Sequence, residues 1–490
     1  MAGLHFRNAS WSGLAASIKA AAGLLSALLA IRLLGAGDYG HVATWLSLFV
    51  LYLSLNSSAF TMLVVRLMAA GSDGAPVDRA AATAAAVRFS LWSLALLAAA
   101  TVLLSVLVFR LSLAGGGPPE AFGTVILLMG LLTAIQIVVA LQAAIIEGAG
   151  RLDLATKWQL VGPLVVVGAL ATSFVAGISF NADTYLALLC VGGVIDLTLL
   201  WNARGTLGLS LSLSAPLGGN SSGVLQLLRS GGLLQATSLL NVFLEPVNKF
   251  LLNHFTGSAS VAIYDLAMKV IWGIQHLVGA AMRVFLHIGS QDSSAVGRTF
   301  VKAITLLGVP VVVMHTAGTL FLFGVARYWM AIDGTQLMIL FGVATISNLG
   351  MIFVTPLYLS LIGRHDLIFV FRVQALLAVV NVLASCVAIP LFGLVGAAIG
   401  LLVATGLNVV AIYLRCRIEA EVFSNPEVPL LRTKRRVVLA ISLLVASIAW
   451  ATTGGGQPLV LLAILAGLGA MMAGEPLISR MIDQFIPGRT

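Results

Sequence analysis

Charge is scarce in this sequence: 9% of its residues are Asp, Glu, Lys or Arg, against 60% hydrophobic residues and a mean hydropathy of +1.06. A soluble globular domain carries roughly a quarter charged residues. A water-soluble fold is thereby excluded, because it could not cover so much apolar surface. The polar linkers that would divide a soluble chain of this length into domains are also missing, and apolar runs of about 20 residues recur from one end to the other. Cysteines are few. Cys190, Cys386 and Cys416 lie in or at the ends of apolar segments without paired spacing, which indicates neither a disulfide framework nor a metal site. Also lacking are a Walker loop, a Gly-rich dinucleotide turn, an HExxH pair and a GxSxG elbow. No enzyme, catalytic residue, cofactor or metal is expected. With no soluble domain to house an ATPase, transport by such a chain would draw on an ion gradient, the membrane potential or the substrate gradient.

What is present is a series of spanning windows. They fall at 11 to 34, 40 to 64, 89 to 113, 123 to 146, 158 to 180 and 183 to 203, then at 231 to 256, 261 to 286, 299 to 324, 334 to 358, 367 to 390 and 394 to 415, with two more at 437 to 452 and 456 to 474. The expectation is an all-α polytopic membrane protein of about 14 transmembrane helices, the first of them retained and not cleaved as a signal. Basic residues test that map, because cytoplasmic loops carry an excess of Lys and Arg. With the N-terminus placed in the cytoplasm, 21 of the 27 basic residues fall on the inner side, while Arg32, Arg110 and Arg327 lie near the outer face. The net charge of +9 is therefore read as topology and not as a footprint for nucleic acid. Both termini are expected in the cytoplasm.

The chain also divides into similar halves. "GRLDL" at Gly150 to Leu154 follows the fourth helix and "GRHDL" at Gly363 to Leu367 follows the tenth, an offset of 213 residues that also carries helix six onto helix twelve. Six helices per half keep each repeat in the same orientation, related by an axis along the membrane normal, with a cavity expected between them. The predicted organisation is an N-terminal six-helix lobe (1–205), a Ser/Gly-rich cytoplasmic linker (206–230) and a C-terminal six-helix lobe (231–417). Residues 418–490 form a basic loop, helices thirteen and fourteen and a cytoplasmic tail.

Ionisable groups inside the membrane each cost several kcal/mol unless paired or hydrated, which makes them candidates for function. Lys19 lies in helix one, Asp196 in helix six, Glu245 and Lys249 in helix seven, Asp265 and Lys269 in helix eight. Ser238, Asn241, Glu245, Asn248, Lys249 and Asn253 share one face of helix seven, with Pro246 bending it and releasing the carbonyl of Val242. Asp265, Lys269, Trp272, His276 and Arg283 share a face of helix eight. Two such stripes facing each other would form a hydrated wall. Other readings stand open beside this one. Glu245 with Lys249, and Asp265 with Lys269, are spaced to neutralise each other as i,i+4 pairs serving only folding. Asp196 suits capping as well as function, and His276 suits either proton coupling or a hydrogen-bonded core. Lys19 has no acid within four residues, so its partner is another helix, water or an anionic substrate; Gly23 and Ser26 continue its face.

Three local patterns resemble the polysaccharide transporter family, the lipid-linked oligosaccharide flippases of the multidrug/oligosaccharidyl-lipid/polysaccharide superfamily. They are "RLLGAGDYG" (Arg32 to Gly40) after helix one, "TGSASVAIYDLA" (Thr256 to Ala267) entering helix eight and "IPLFGLVGAAIG" (Ile389 to Gly400) entering helix twelve. The resemblance implies a V-shaped pair of lobes alternating between inward-open and outward-open states in a bacterial cytoplasmic membrane. It implies as cargo a polyprenyl-diphosphate-linked glycan for O-antigen, lipopolysaccharide or exopolysaccharide assembly. Lys19, Lys249, Lys269 and Arg283, with Asn241, would meet the diphosphate, and Asp196, Glu245, Asp265 and His276 would couple or pair charge. Membrane lipid, a polysaccharide polymerase and glycosyltransferases are the implied partners. Fourteen helices also fit the lipid II flippase branch, whose two added helices form a groove for the lipid tail. The competing expectation is a cation-coupled multidrug exporter of the MATE type on the same fold, which should carry acids without basic partners. A third is a membrane scaffold without transport.

Overall fold

The computed structural model describes residues 2–47, 120–149, 151–208, 243–282, 310–330, 334–363 and 366–419, with isolated positions in 91–103 and 236–240. These residues form helices and no strand. In chain order they are α1 (Ala2–Leu34), α2 (residues 36–47), α3 (Glu120–Gly148), α4 (Leu152–Trp158), α5 (Val161–Val175) and α6 (Ala182–Thr206). The second half contributes α7 (Glu245–Thr256), α8 (Ser258–Met282), α9 (residues 310–324, running into a π-helical turn at Val325–Met330), α10 (Gly334–Gly363), α11 (Leu367–Phe392) and α12 (Leu394–Glu419). Nine helices among the described residues are long and apolar enough to cross a membrane. Helices thirteen and fourteen lie outside the described residues, as does most of helix three.

Burial runs inside out relative to a soluble protein. On α11, Leu376, Val379, Leu383, Val387 and Leu391 are exposed at steps of three and four, up to 69% at Leu391. The opposite face buries Gln374, Asn381 and Ser385. A helix that turns its apolar stripe outward and its polar stripe inward is suited to lipid as solvent, where polar groups must find partners within the bundle. The chain is a multi-pass membrane protein.

The internal repeat holds at the level of elements. Shifting α3, the pair α4–α5, and α6 by 213 residues lands them on α10, α11 and α12 to within four residues at every end. Two departures from the expected map occur at prolines. Helix five begins earlier than expected, at Leu152, and is interrupted at Gln159 and Leu160, because Pro163 has no N–H to donate back to Gln159. Helix seven was expected to run bent through Pro246; instead a turn at Phe243 and Leu244 precedes α7, which starts at Glu245 with Pro246 in its first turn, where its missing N–H costs nothing.

The two halves meet along α1 and α8. Gly35 (φ 86°) turns α1 into α2 and Gly257 (φ 89°) turns α7 into α8, both in the left-handed region that favours glycine. These turns bring the start of α2 onto the start of α8: a Cβ at Gly40 would run into the backbone carbonyl of Ser258, and one at Gly37 would stand 3.8 Å from the Ser258 hydroxyl. Lower on the same seam, a Cβ at Gly273 would meet Ala20 at 3.4 Å, so α1 and α8 run antiparallel in close contact for some 15 residues, about 22 Å at the helical rise.

A candidate charge-lined site at the seam

Four charges gather where α7, α8 and α2 converge. Lys249 Nζ lies 2.5 Å from Glu245 Oε1 and 2.6 Å from Asp265 Oδ1, and Asp265 Oδ2 also receives Lys269. Both i,i+4 pairs expected from spacing form, and the Lys249–Asp265 contact joins them into one chain of alternating sign whose formal charges cancel. Tyr39, from the other half of the molecule, donates its hydroxyl to Asp265 Oδ2 at 2.6 Å and accepts from Lys269 Nζ at 3.2 Å. Its ring also stands beneath the Lys269 ammonium at 5.9 Å. Tyr39 was not singled out from the sequence, although it sits in the "RLLGAGDYG" pattern; a buried phenol next to an apolar helix start carries no signal of its partner.

Exposure is graded along this chain. Asp265 is 2% exposed and Lys249 6%, whereas the Lys269 and Glu245 side chains are 34% and 25% exposed. A fully internal ion pair would recover little net energy, since desolvation offsets attraction; here the two ends of the chain keep access to the space outside it. Among the described residues of the two expected stripes, Asn253, Lys269 and Trp272 are half-buried and His276 is exposed. Where the two stripes meet they close on each other, with Asn248 0% and Asp265 2% exposed.

The break before α7 is tied down by a second, neutral network. Asn381 Nδ2 on α11 donates to the Leu244 carbonyl at 3.1 Å and to Asn248 Oδ1 at 3.3 Å, while Asn248 Nδ2 donates to Tyr264 Oη at 3.3 Å and the Ala397 carbonyl at 3.4 Å. These bonds satisfy backbone and amide groups that lipid could not. They hold α7 against α8, α11 and α12, which fixes where Glu245 and Lys249 project.

Lys19 stands apart from the other two lysines. Half-buried on α1, it donates to Gln159 Oε1 at 2.6 Å, at the α4–α5 break. Of its open alternatives, the partner in this conformation is another helix. Asp196, 5% exposed on α6, accepts the Gly162 N–H at 2.7 Å, an N–H freed by the same break, and is near enough for its charge to act on Lys19. Asp196 therefore caps α5. His276 lies exposed on α8, about two turns beyond Lys269. Asn241 and Arg283 lie outside the described residues.

The sequence reading passed over His315. It is 0% exposed on α9; its Nε2 accepts from Asn348 Nδ2 at 3.0 Å, so Nδ1 carries the proton to the Val311 carbonyl at 2.7 Å. Thr316, Thr319 and Asn348 are buried beside it. The available signal was a histidine inside an otherwise apolar window.

The arrangement defines a class: an all-helical bundle of repeated halves, meeting at a paired-charge seam. No protein-family model matches the chain, and no curated protein matches it. Among solved structures it is similar to the lipid II flippase MurJ in an inward closed conformation, with a TM-score of 0.65 at 11% identity over 94% of this chain and 98% of that one. It is also similar to an inward-facing multidrug resistance MATE family transporter of the MOP superfamily, with a TM-score of 0.62 at 15% identity over 84% and 96% of the two chains. A third is a MOP superfamily transporter from Pyrococcus furiosus described by a binding pocket of reversed polarity, with a TM-score of 0.54 at 13% identity over 84% and 95%. The chain has the fold that these transporters share.

Proposed function

We propose that the chain is a transporter that flips a polyprenyl-diphosphate-linked oligosaccharide from the cytoplasmic to the outer leaflet by alternating access. Its setting would be surface polysaccharide assembly in a bacterial inner membrane. The observation that carries this reading is that each carboxylate within the spans singled out from the sequence already has a donor. Asp196 takes a backbone N–H, Glu245 takes Lys249, and Asp265 takes two lysines and a tyrosine. A cation-coupled drug exporter on this fold would need a carboxylate free to attract its cationic cargo. Here the partly open groups at the seam are Lys269 at one end and Glu245 at the other, and a diphosphate would compete with Asp265 for Lys269. Lysine suits that exchange, since a compact ammonium gains strongly from phosphate in a low-dielectric gap. The fold likeness to a lipid II flippase supports a lipid-linked cargo, and the likeness to MATE transporters keeps the exporter as the alternative.

The test is complementation of a deletion strain with Lys269→Ala and, separately, Lys19→Ala. Surface glycan display should fail for Lys269→Ala while the protein reaches the membrane at normal level and drug tolerance is unchanged. Normal glycan display with lost drug tolerance would replace the flippase by the exporter. Glycosyltransferase and polymerase genes beside this one would supply the partners the reading requires.

A further inference from the structure

The last turn of α6 holds a guanidinium that no anion among the described residues pairs with. Arg204 is 8% exposed, yet its one hydrogen bond among the described residues is Nη1 to the neutral Gln142 Oε1 at 3.2 Å, and its Nε is buried without a partner. The carbonyls at this helix end do not engage it, because the Leu207 N–H already caps those of Ala203 and Arg204. A buried arginine is ordinarily paired, since an uncompensated charge away from water is costly. The guanidinium instead sits over the Trp201 ring, its Cζ 4.2 Å from the ring centroid, and Trp201 is 50% exposed.

A second pair of the same kind lies on α4, which packs against α6. On α4, exposed Lys157 sits 5.0 Å above the Trp158 ring, and Trp158 packs on the cluster that Leu200 and Ala203 form with Ala155. Two tryptophans, each carrying a cation, thus flank one end of the α3–α4–α6 packing. Tryptophan concentrates at the depth of lipid headgroups, where an apolar ring and a polar edge are both satisfied.

We infer that Arg204, with Lys157, forms a binding site for the phosphate of an anionic membrane phospholipid. Arg204 supplies a planar guanidinium whose N–H groups phosphate oxygens accept from, and the phosphate brings the counter-charge that Gln142 does not. Trp201 provides the apolar wall for the glycerol and upper acyl carbons. This site lies in the N-terminal half, away from the seam network, and does not depend on the transported substrate.

Purified protein in detergent is titrated with phosphatidylglycerol and with phosphatidylcholine, and retained lipid is counted by native mass spectrometry. Phosphatidylglycerol is retained in preference, Arg204→Ala weakens its retention about fivefold, and Lys157→Ala, at an exposed position that folding does not need, weakens it about twofold. Arg204→Lys keeps the charge, folds where the alanine variant fails to, and falls between wild type and Arg204→Ala. Equal retention of the two lipids overturns the assignment, as does unchanged phosphatidylglycerol retention in all three variants. Displacement of the lipid by millimolar inorganic phosphate would reduce the site to one for a bare anion and equally overturn it.

Discussion

The pair α4–α5 and its repeat α11 occupy equivalent places in the two halves, yet one is broken and the other continuous. Pro163 interrupts the first, and the break does polar work: Gln159 reaches Lys19, and the freed Gly162 N–H reaches Asp196. In the second half the polar work moves to α7, where Asn381 donates to the Leu244 carbonyl at the helix start and Glu245 and Lys249 are aimed at Asp265. The repeat fixes element lengths and packing order. Where the proline falls within a repeat decides which neutral and charged groups meet, so one half holds a lone lysine on an amide and the other a four-charge chain. The acids of the two matching "DL" pairs differ in the same way: Asp153 pairs with Arg151 two residues back, whereas Asp366 reaches Arg415 on α12 at 3.1 Å.

Substitutions separate the halves by the size of their effect. Asp265→Ala should be the most damaging, because it takes the carboxylate from Lys269 and leaves buried Lys249 with Glu245 alone; a loss of about 3–5 kcal/mol is expected for breaking one side of a buried pair. Thermal unfolding in detergent reads it, and a folded variant of near wild-type stability would mean that the chain of charges is not a unit. Next come Glu245→Gln and Lys249→Gln, each leaving one unbalanced charge, whereas the double change leaves the neutral Asp265–Lys269 pair. The double variant should be more stable than either single by a coupling of about 1–3 kcal/mol; strict additivity would show the contacts to be independent. In the N-terminal half, Asp196→Asn keeps an acceptor for the Gly162 N–H and should cost little, while Asp196→Ala orphans it and should cost about 1–3 kcal/mol. A large loss from Asp196→Asn would show that its charge, and not its capping bond, is what matters. Smallest of all is Asp153→Asn, within about 0.5 kcal/mol, because its pair with Arg151 is partly exposed and screened; beside Asp153, the Arg151 guanidinium is held above its ordinary value by that hydrogen bond.

Most of the bundle was legible because lipid imposes simple rules on sequence. Apolar windows marked the described spans, and the 213-residue offset located the repeat. The three family-like patterns prove to be packing devices. Gly35, Gly257 and Gly393 (φ 58°) turn the chain, Gly40 admits the Ser258 carbonyl, and a Cβ at Gly396 or Gly400 would collide with Ala388 or Ser385. They therefore report fold and not cargo. The i,i+4 pairs were legible from spacing. What linked them was not, because the Lys249–Asp265 contact and the Tyr39 bridge depend on how three helices converge, and no local period encodes that. His315 was missed for a related reason: its partner Asn348 lies on another helix, and alone each reads as a stray polar residue in an apolar run.

The central claim is that the charge chain closes the seam through Tyr39. Paired cysteines at Gly37→Cys and Ser258→Cys, in a chain with Cys190, Cys386 and Cys416 replaced by serine, report that closure by disulfide yield. Tyr39→Phe removes only the hydroxyl bridge, so the cross-link should form about fivefold more slowly, as expected for the loss of about 1 kcal/mol from the closed state. An unchanged rate would contradict the account, leaving the seam held by glycine packing alone.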